Sequence, residues 1–214
     1  ISHIDGIFCG NAVGTGGNLG RLMGLMCNLP NYVPAITVDM QCASALMSIE
    51  IAYAHIVSGI MDSAIAGGIE SSSLQPERVY ASGDDREGPY KVAQFTPQDQ
   101  SPLAMLKGAE RTIHKYNVTK EDLYPHIIGS HQRASAALDN PYLQSYIMPI
   151  TIDGKRCIDE CIRPTMNEKL LSRMKPLLGA DSITNAGNAC LTHDGVAFVY
   201  LSNKKGPFKI HSVK

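Results

Sequence analysis

Val33-Pro34-Ala35-Ile36-Thr37-Val38-Asp39-Met40-Gln41-Cys42-Ala43-Ser44 opens the stretch that decides the fold, and Ser63-Ala64-Ile65-Ala66-Gly67-Gly68-Ile69-Glu70 closes it. Val33 to Met40 is β-branched and apolar, which predicts a buried strand. After Cys42 the period changes. Leu46, Ile49, Ala52, Tyr53, Ile56 and Val57 fall at helical spacing and predict one apolar helix face, with Ser58-Gly59 as the stop. Met61 to Ala66 is a second short apolar run, closed by Gly67-Gly68. Strand, helix and strand at these lengths predict a parallel crossover. Cys42 then stands where the strand turns into the first turn of the helix. Unpaired backbone N–H groups and the positive end of the helix dipole point there, and both favour thiolate over thiol. Most free cysteines are small buried hydrophobes, so position alone leaves Cys42 either a packing residue or a nucleophile.

The chain has 214 residues, 44% hydrophobic and 18% charged, enough apolar content for a real core in one large domain or two small ones. A net charge of −1 gives no electrostatic footprint for nucleic acid or an anionic membrane, and neither is expected as a partner. No apolar run approaches a membrane span, and the N-terminus lacks the layout of a signal peptide. The six cysteines (9, 27, 42, 157, 161 and 190) form no C-x-x-C. The close pair Cys157 and Cys161 lacks the partner pair that zinc would need, so no metal and a reducing, cytoplasmic setting are expected. The first residue is Ile1, and Ile7-Phe8-Cys9 already reads as strand, as in a fragment of a longer chain.

Gly10 to Arg21 is rich in glycine, but it forms neither a P-loop nor a clean G-x-G-x-x-G after a strand. A tight loop feeding a helix from Leu19 to Asn28 is the better reading. Residues 74–101 are polar, with Pro76, Gly83, Gly88, Pro89 and Pro97, and read as loop. Ser101-Pro102 predicts a helix start, followed by an apolar stripe of Leu103, Leu106, Ala109 and Ile113. Thr119 and Asp122 predict a capping box for a helix running toward Ala137, with Pro125 kinking it or delaying its start. Asp153-Gly154 predicts a hairpin over Ile150–Ile158. Val196 to Leu201 reads as a strand returning to the core, and residues 209–213 as the start of a further element.

Gln41-Cys42-Ala43-Ser44-Ala45-Leu46, with Ala66-Gly67-Gly68-Ile69-Glu70-Ser71 after the helix, resembles the nucleophile segment of the thiolases, C-(A/S)-S-(G/A)-(L/M) followed by A-G-G-x-E-S. The early glycine-rich loop resembles their G-N-V-x-x-x-G loop. Ser130-His131-Gln132-Arg133-Ala134 resembles S-H-Q-(R/K)-A, and Ile162-Arg163 with Lys175-Pro176-Leu177-Leu178 resembles (Y/F/I)-R … L-(K/R)-P-x-F. Thr184 to Cys190, then Asp194-Gly195, resembles T-A-G-N followed by D-G. The resemblance runs in family order across nearly the whole chain. It implies an α/β fold: a thiolase-like layered αβα core from 1–73 and 181–214, with an inserted mixed α+β coenzyme A loop domain over 74–180. Only the family's N-terminal half is expected here.

The resemblance also implies a chemistry. Cys42 would be the nucleophile of a ping-pong acyl transfer between coenzyme A thioesters, with no permanently bound cofactor. Arg163 would contact the nucleotide end of coenzyme A, where a guanidinium suits phosphate. Met105, Leu178 and Ala186 match apolar channel positions, and Cys190 stands where the family has a pantetheine-contacting serine. Ala104 and Leu170 likewise replace a family histidine and serine. The family's G-H-P histidine and C-x-G cysteine do not occur in this sequence, so the chain alone is expected not to turn over. His55 and His131 are read as packing or solvated histidines. Acyl-CoA substrates and a homo-oligomer, dimer or tetramer, are implied as partners. Two rivals are a condensing enzyme of the ketoacyl-synthase branch and a non-catalytic acyl-CoA-binding protein.

Overall fold

The computed structural model describes residues 3–14, 16–91, 94, 97 and 101–204, so the element expected over 209–213 lies outside the described residues. In chain order the elements are β1 (Gly6–Gly10), α1 (Leu19–Met26), β2 (Ala35–Val38), α2 (Ser44–Val57), β3 (Ser63–Ser71), β4 (Arg78–Val79) and β5 (Pro89–Tyr90). Then follow α3 (Ala104–Lys115), α4 (Lys120–Leu138), α5 (Pro141–Gln144), β6 (Thr151–Ile152), β7 (Lys155–Arg156), α6 (Glu168–Leu171) and β8 (Asp194–Ser202). The chain forms two compact units, 1–93 with 192–214, and 94–191.

The first unit is built on a sheet of order β2-β1-β3-β8, with β8 antiparallel to β3 and the other pairs parallel. β1 is central and buried over its whole length, because helices cover both of its faces. Alternation along the strand sorts the two sides. Phe8 clusters with Ala52, Ala64 and Ala66 beneath α2. Ile7 and Cys9 face Gly24 and Gly20 of α1, the absence of side chains there letting that helix sit close. The result is the αβα layering expected.

Two details differ from the sequence reading. The strand expected over 33–40 is only Ala35–Val38, and it is an edge strand, half exposed rather than buried, with Ile36 at 43% exposure. The expected apolar face of α2 is also divided. Leu46, Tyr53 and Val57 lie outward, and the residues fully buried against the sheet are Ser44, Ser48 and Ala52. A small-residue face is what close helix–sheet approach demands. The Ser48 hydroxyl accepts the Gly67 N–H at 3.0 Å, and its one proton is shared between the carbonyls of Ala45 and Gly67, each at 2.7 Å.

The unit boundaries fall at 93/94 and 191/192, later than 73/74 and 180/181. Side chains supply the reason. The Arg78 guanidinium donates to the carbonyls of Val13 and Gly14, both at 2.8 Å, which ties the 74–91 segment to the first unit. At the other end, residues 182–184 are held by Glu110 of α3.

The second unit is mixed α and β, with a small cluster of Tyr124, Met166 and Leu171 at its centre. Helix α3 begins at Ala104 rather than at Pro102, although Ser101 Oγ still accepts the Leu103 N–H. Thr119 and Asp122 form the expected capping box, and α4 starts at Lys120 without delay from Pro125, which lies in the helix interior. Asp153 and Gly154 both have positive φ (49° and 74°), the signature of the hairpin turn joining β6 to β7. Among the described residues, no helix is long and apolar enough to cross a membrane.

Candidate active site

Cys42 is exposed, two residues before α2. Ahead of it the backbone makes a sharp corner. Gln41 has φ of +51°, the left-handed region that non-glycine residues rarely enter. Its N–H donates to the Asp39 carboxylate at 2.8 Å, and its carbonyl accepts both the Ser44 N–H at 3.1 Å and the Ser44 hydroxyl at 2.6 Å. The N-cap residue of α2 is Ala43, which has no side-chain cap, so no side chain at that position screens the positive dipole end of the helix.

An open hollow of about 660 Å³ lies beside Cys42, lined by the loop after β1, the end of β3 and the start of β8. Its shape follows from glycine. A Cβ at Gly10 would stand 2.4 Å from Ala45 N and Ser44 C, and one at Gly68 would stand 2.9 Å from Ala45 Cβ, so α2 enters against bare backbone. Glu70 also lines the hollow, but its carboxylate accepts from the Asn11 amide at 3.0 Å, Ala12 N–H at 3.0 Å and Val13 N–H at 2.9 Å. With its lone pairs so committed, it braces the loop instead of offering an open base. The other cysteine of this region, Cys9, is fully buried, and burial pushes its thiol up, so it stays a packing thiol.

The five residues matched to a coenzyme A site all belong to the second unit. Leu178 is half-buried and lines an open hollow of about 660 Å³ with Leu103, Ala104, Lys107, Arg111 and Leu177. Met105 projects from the first turn of α3 and is 78% exposed. Ala186 and Cys190 are exposed on the 184–190 loop, and Arg163 is exposed, its N–H donating to His131 Nδ1 at 3.2 Å. Of these five, only Leu178 lines the hollow. His131 is thereby occupied as an acceptor. His55 packs its ring 5.2 Å from Phe8 and bonds the Ile51 carbonyl at 2.8 Å.

One functional-looking cluster was not legible in the sequence. Glu110, buried on α3, accepts from the Ser182 hydroxyl (2.9 Å), Ile183 N–H (2.7 Å), Thr184 N–H (3.0 Å) and the Thr184 hydroxyl. This shapes the 184–190 loop, where Asn185 and Asn188 close a further turn on Ile183 and Gly187. No group of His, Cys, Asp and Glu suited to a metal occurs among the described residues.

Comparison with known proteins bears on this arrangement. Residues 1–205 match the family described as thiolase, N-terminal domain. The Staphylococcus epidermidis protein VraB, named as an acetyl-CoA C-acetyltransferase, is 34% identical over 209 residues, covering 93% of this chain and 53% of its own. Its Staphylococcus aureus namesake is 31% identical over 215 residues, with 98% and 56% covered. The chain thus spans about half the length of the curated relatives it matches. Among solved structures, human mitochondrial 3-ketoacyl-CoA thiolase in complex with CoA superposes with a TM-score of 0.79 at 25% identity, covering 93% of this chain and 53% of that one. The Bacillus anthracis acetyl-CoA acetyltransferase superposes with the same TM-score at 24% identity, over 94% and 54%, a likeness of fold. The chain belongs to the thiolase family and carries that family's N-terminal domain.

Proposed function

We propose that the protein of which this chain forms part transfers acyl groups between coenzyme A thioesters through an acyl-cysteine on Cys42, as in thiolysis of acetoacetyl-CoA or a longer 3-ketoacyl-CoA, or the reverse condensation. The observation that carries the reading is the exposed Cys42 at an uncapped helix start beside an open hollow, in a chain of the thiolase family. In thiolysis the Cys42 thiolate adds to the keto carbon. The bond between C2 and C3 of the substrate breaks, acyl-cysteine remains, and the departing acetyl-CoA carbanion takes a proton. The thiolate of free coenzyme A then attacks the acyl-cysteine, releasing acyl-CoA and restoring Cys42. Coenzyme A is substrate here, not a resident group. Arg163, Met105, Leu178, Ala186 and Cys190 are proposed to contact it, Arg163 at a phosphate. A homo-oligomer, a cytoplasmic setting and a role in lipid metabolism belong to the same proposal.

Incubating the 214-residue chain with acetyl-CoA or acetoacetyl-CoA and mapping its peptides tests the central step. One acyl group is expected on the Cys42 peptide, absent from Cys42→Ala. Acylation confined to Cys157 or Cys190, or acylation undiminished in Cys42→Ala, would overturn the assignment.

A further inference from the structure

A buried hydroxyl spans the corner that carries Cys42. Ser44 is buried, with only 4% of its surface exposed, and its Oγ accepts the Met40 N–H at 2.8 Å while donating to the Gln41 carbonyl at 2.6 Å. The two peptide groups it links lie on either side of the left-handed residue, so the hydroxyl spans the backbone turn that φ of +51° at Gln41 creates. Backbone bonds from Ala43 N–H to the Met40 carbonyl and from Ser44 N–H to the Gln41 carbonyl, both 3.1 Å, follow the same turn. A glutamine in this region is strained by its Cβ, and it remains only where its surroundings fix it. The close approach of Gly10 to Ser44 and Ala45 leaves no slack beneath the turn.

We propose that Ser44 is a positioning residue for Cys42, holding Gln41 left-handed so that the thiol stands at the helix start and faces the hollow. This rests on Cys42 being the acylated residue. With the hydroxyl removed, Met40 N–H loses its acceptor and the Gln41 carbonyl one of its two donors. Gln41 is then free to relax toward negative φ, which swings the Cys42 peptide away from the first turn of α2. Glycine at position 41 would have no such preference, because without a Cβ it occupies the left-handed region about as readily as the right-handed one.

The test measures iodoacetamide labelling of Cys42 by peptide mapping in the intact chain, with exposed Cys157 in the same tube as the internal standard. In the parent chain Cys42 should label faster than Cys157. Ser44→Ala should slow Cys42 about tenfold relative to Cys157, the size of effect that separates a well-placed from a misplaced thiol. Adding Gln41→Gly to Ser44→Ala should restore the rate to within about twofold, since glycine enters the left-handed region at no steric cost and the remaining backbone bonds suffice to keep it there. Gln41→Val, with Ser44 untouched, should slow Cys42 like Ser44→Ala, because a β-branched residue resists positive φ. Parental labelling in either Ser44→Ala or Gln41→Val, or failure of glycine to rescue, would overturn the proposal while leaving the acyl-cysteine reading standing. A parent chain whose Cys42 labels no faster than Cys157 would overturn both.

Discussion

Burial pushes the Glu110 carboxyl up, but hydrogen bonds from the Thr184 hydroxyl, the Ile183 and Thr184 N–H groups and the Ser182 hydroxyl outweigh it and hold the group down at about 2, from an ordinary 4.5. A carboxyl depressed on folding stabilises the folded form above its unfolded value, and that contribution is lost as pH falls through the folded one. The window here runs from pH 4.5 down to about 2. A displacement of this size corresponds to about 3 kcal/mol, taken as an order of magnitude. Glu110→Gln should therefore lower the unfolding free energy of the second unit by about 2–3 kcal/mol at pH 7, with the gap to the parent chain closing below pH 4.5. Thermal melts of both chains across pH 2–8 measure it, and a gap independent of pH would exclude a role for the charge. Nothing near Glu110 in sequence announces this. It stands in an amphipathic helix like any surface glutamate, and its donors lie 72 to 74 positions away. The place of Cys42 at the turn into α2, by contrast, is legible from its local sequence, whereas the backbone sign at Gln41 is not, since residue type forecasts positive φ well only for glycine.

Local chemistry decided which elements could be read. The Thr119 and Asp122 capping box and the Asp153-Gly154 turn involve residues three or fewer positions apart, and both stand where the sequence put them. The core-facing side of α2 is legible from hydrophobicity only in part: Ala52, Ile49 and Ile56 pack against the sheet, whereas Leu46, Tyr53 and Val57 lie outward and buried Ser44 and Ser48 carry no apolar signal. Against this sheet, closeness matters more than greasiness, and serine and alanine are what fit. The same contrast gives opposite signs for one substitution at two glycines. At Gly10 a methyl would collide with the backbone of Ser44 and Ala45, which cannot move without shifting α2. Gly10→Ala should destabilise the first unit by about 1–3 kcal/mol, the usual cost of overpacking. Gly108, inside α3, has nothing within 4 Å of a Cβ. Gly108→Ala should stabilise the second unit by about 0.5–1 kcal/mol by removing backbone freedom from the unfolded chain. Urea titrations of the two variants check both signs.

At the scale of the whole chain, many apolar side chains are open. Leu46, Tyr53 and Val57 on α2 are 61–67% exposed, and Val196, Val199 and Tyr200 on β8 are 44–59% exposed. Covalently, the second unit is an excursion from the tip of a hairpin. β3 and β8 pair from Ser63↔Ser202 to Ser71↔Asp194, and Asp194 finishes the ladder by accepting from Ser73 N–H and both serine hydroxyls.

That hairpin sets how readily its second strand opens. Ser73 and Asp194 are 121 positions apart, and closing so long a loop costs entropy that grows with the logarithm of its length. The contact of Glu110 with Thr184, 74 positions apart, short-circuits most of that length. The logarithm makes the saving modest, about 0.8 kcal/mol or a factor of about four in how often β8 detaches. Native-state hydrogen exchange should show it. In Glu110→Gln, the amides of Val196 to Leu201 should exchange about fourfold faster than in the parent chain, and those of β1 should not change. A single carboxylate in one unit would thus set the opening frequency of a strand in the other through chain length alone.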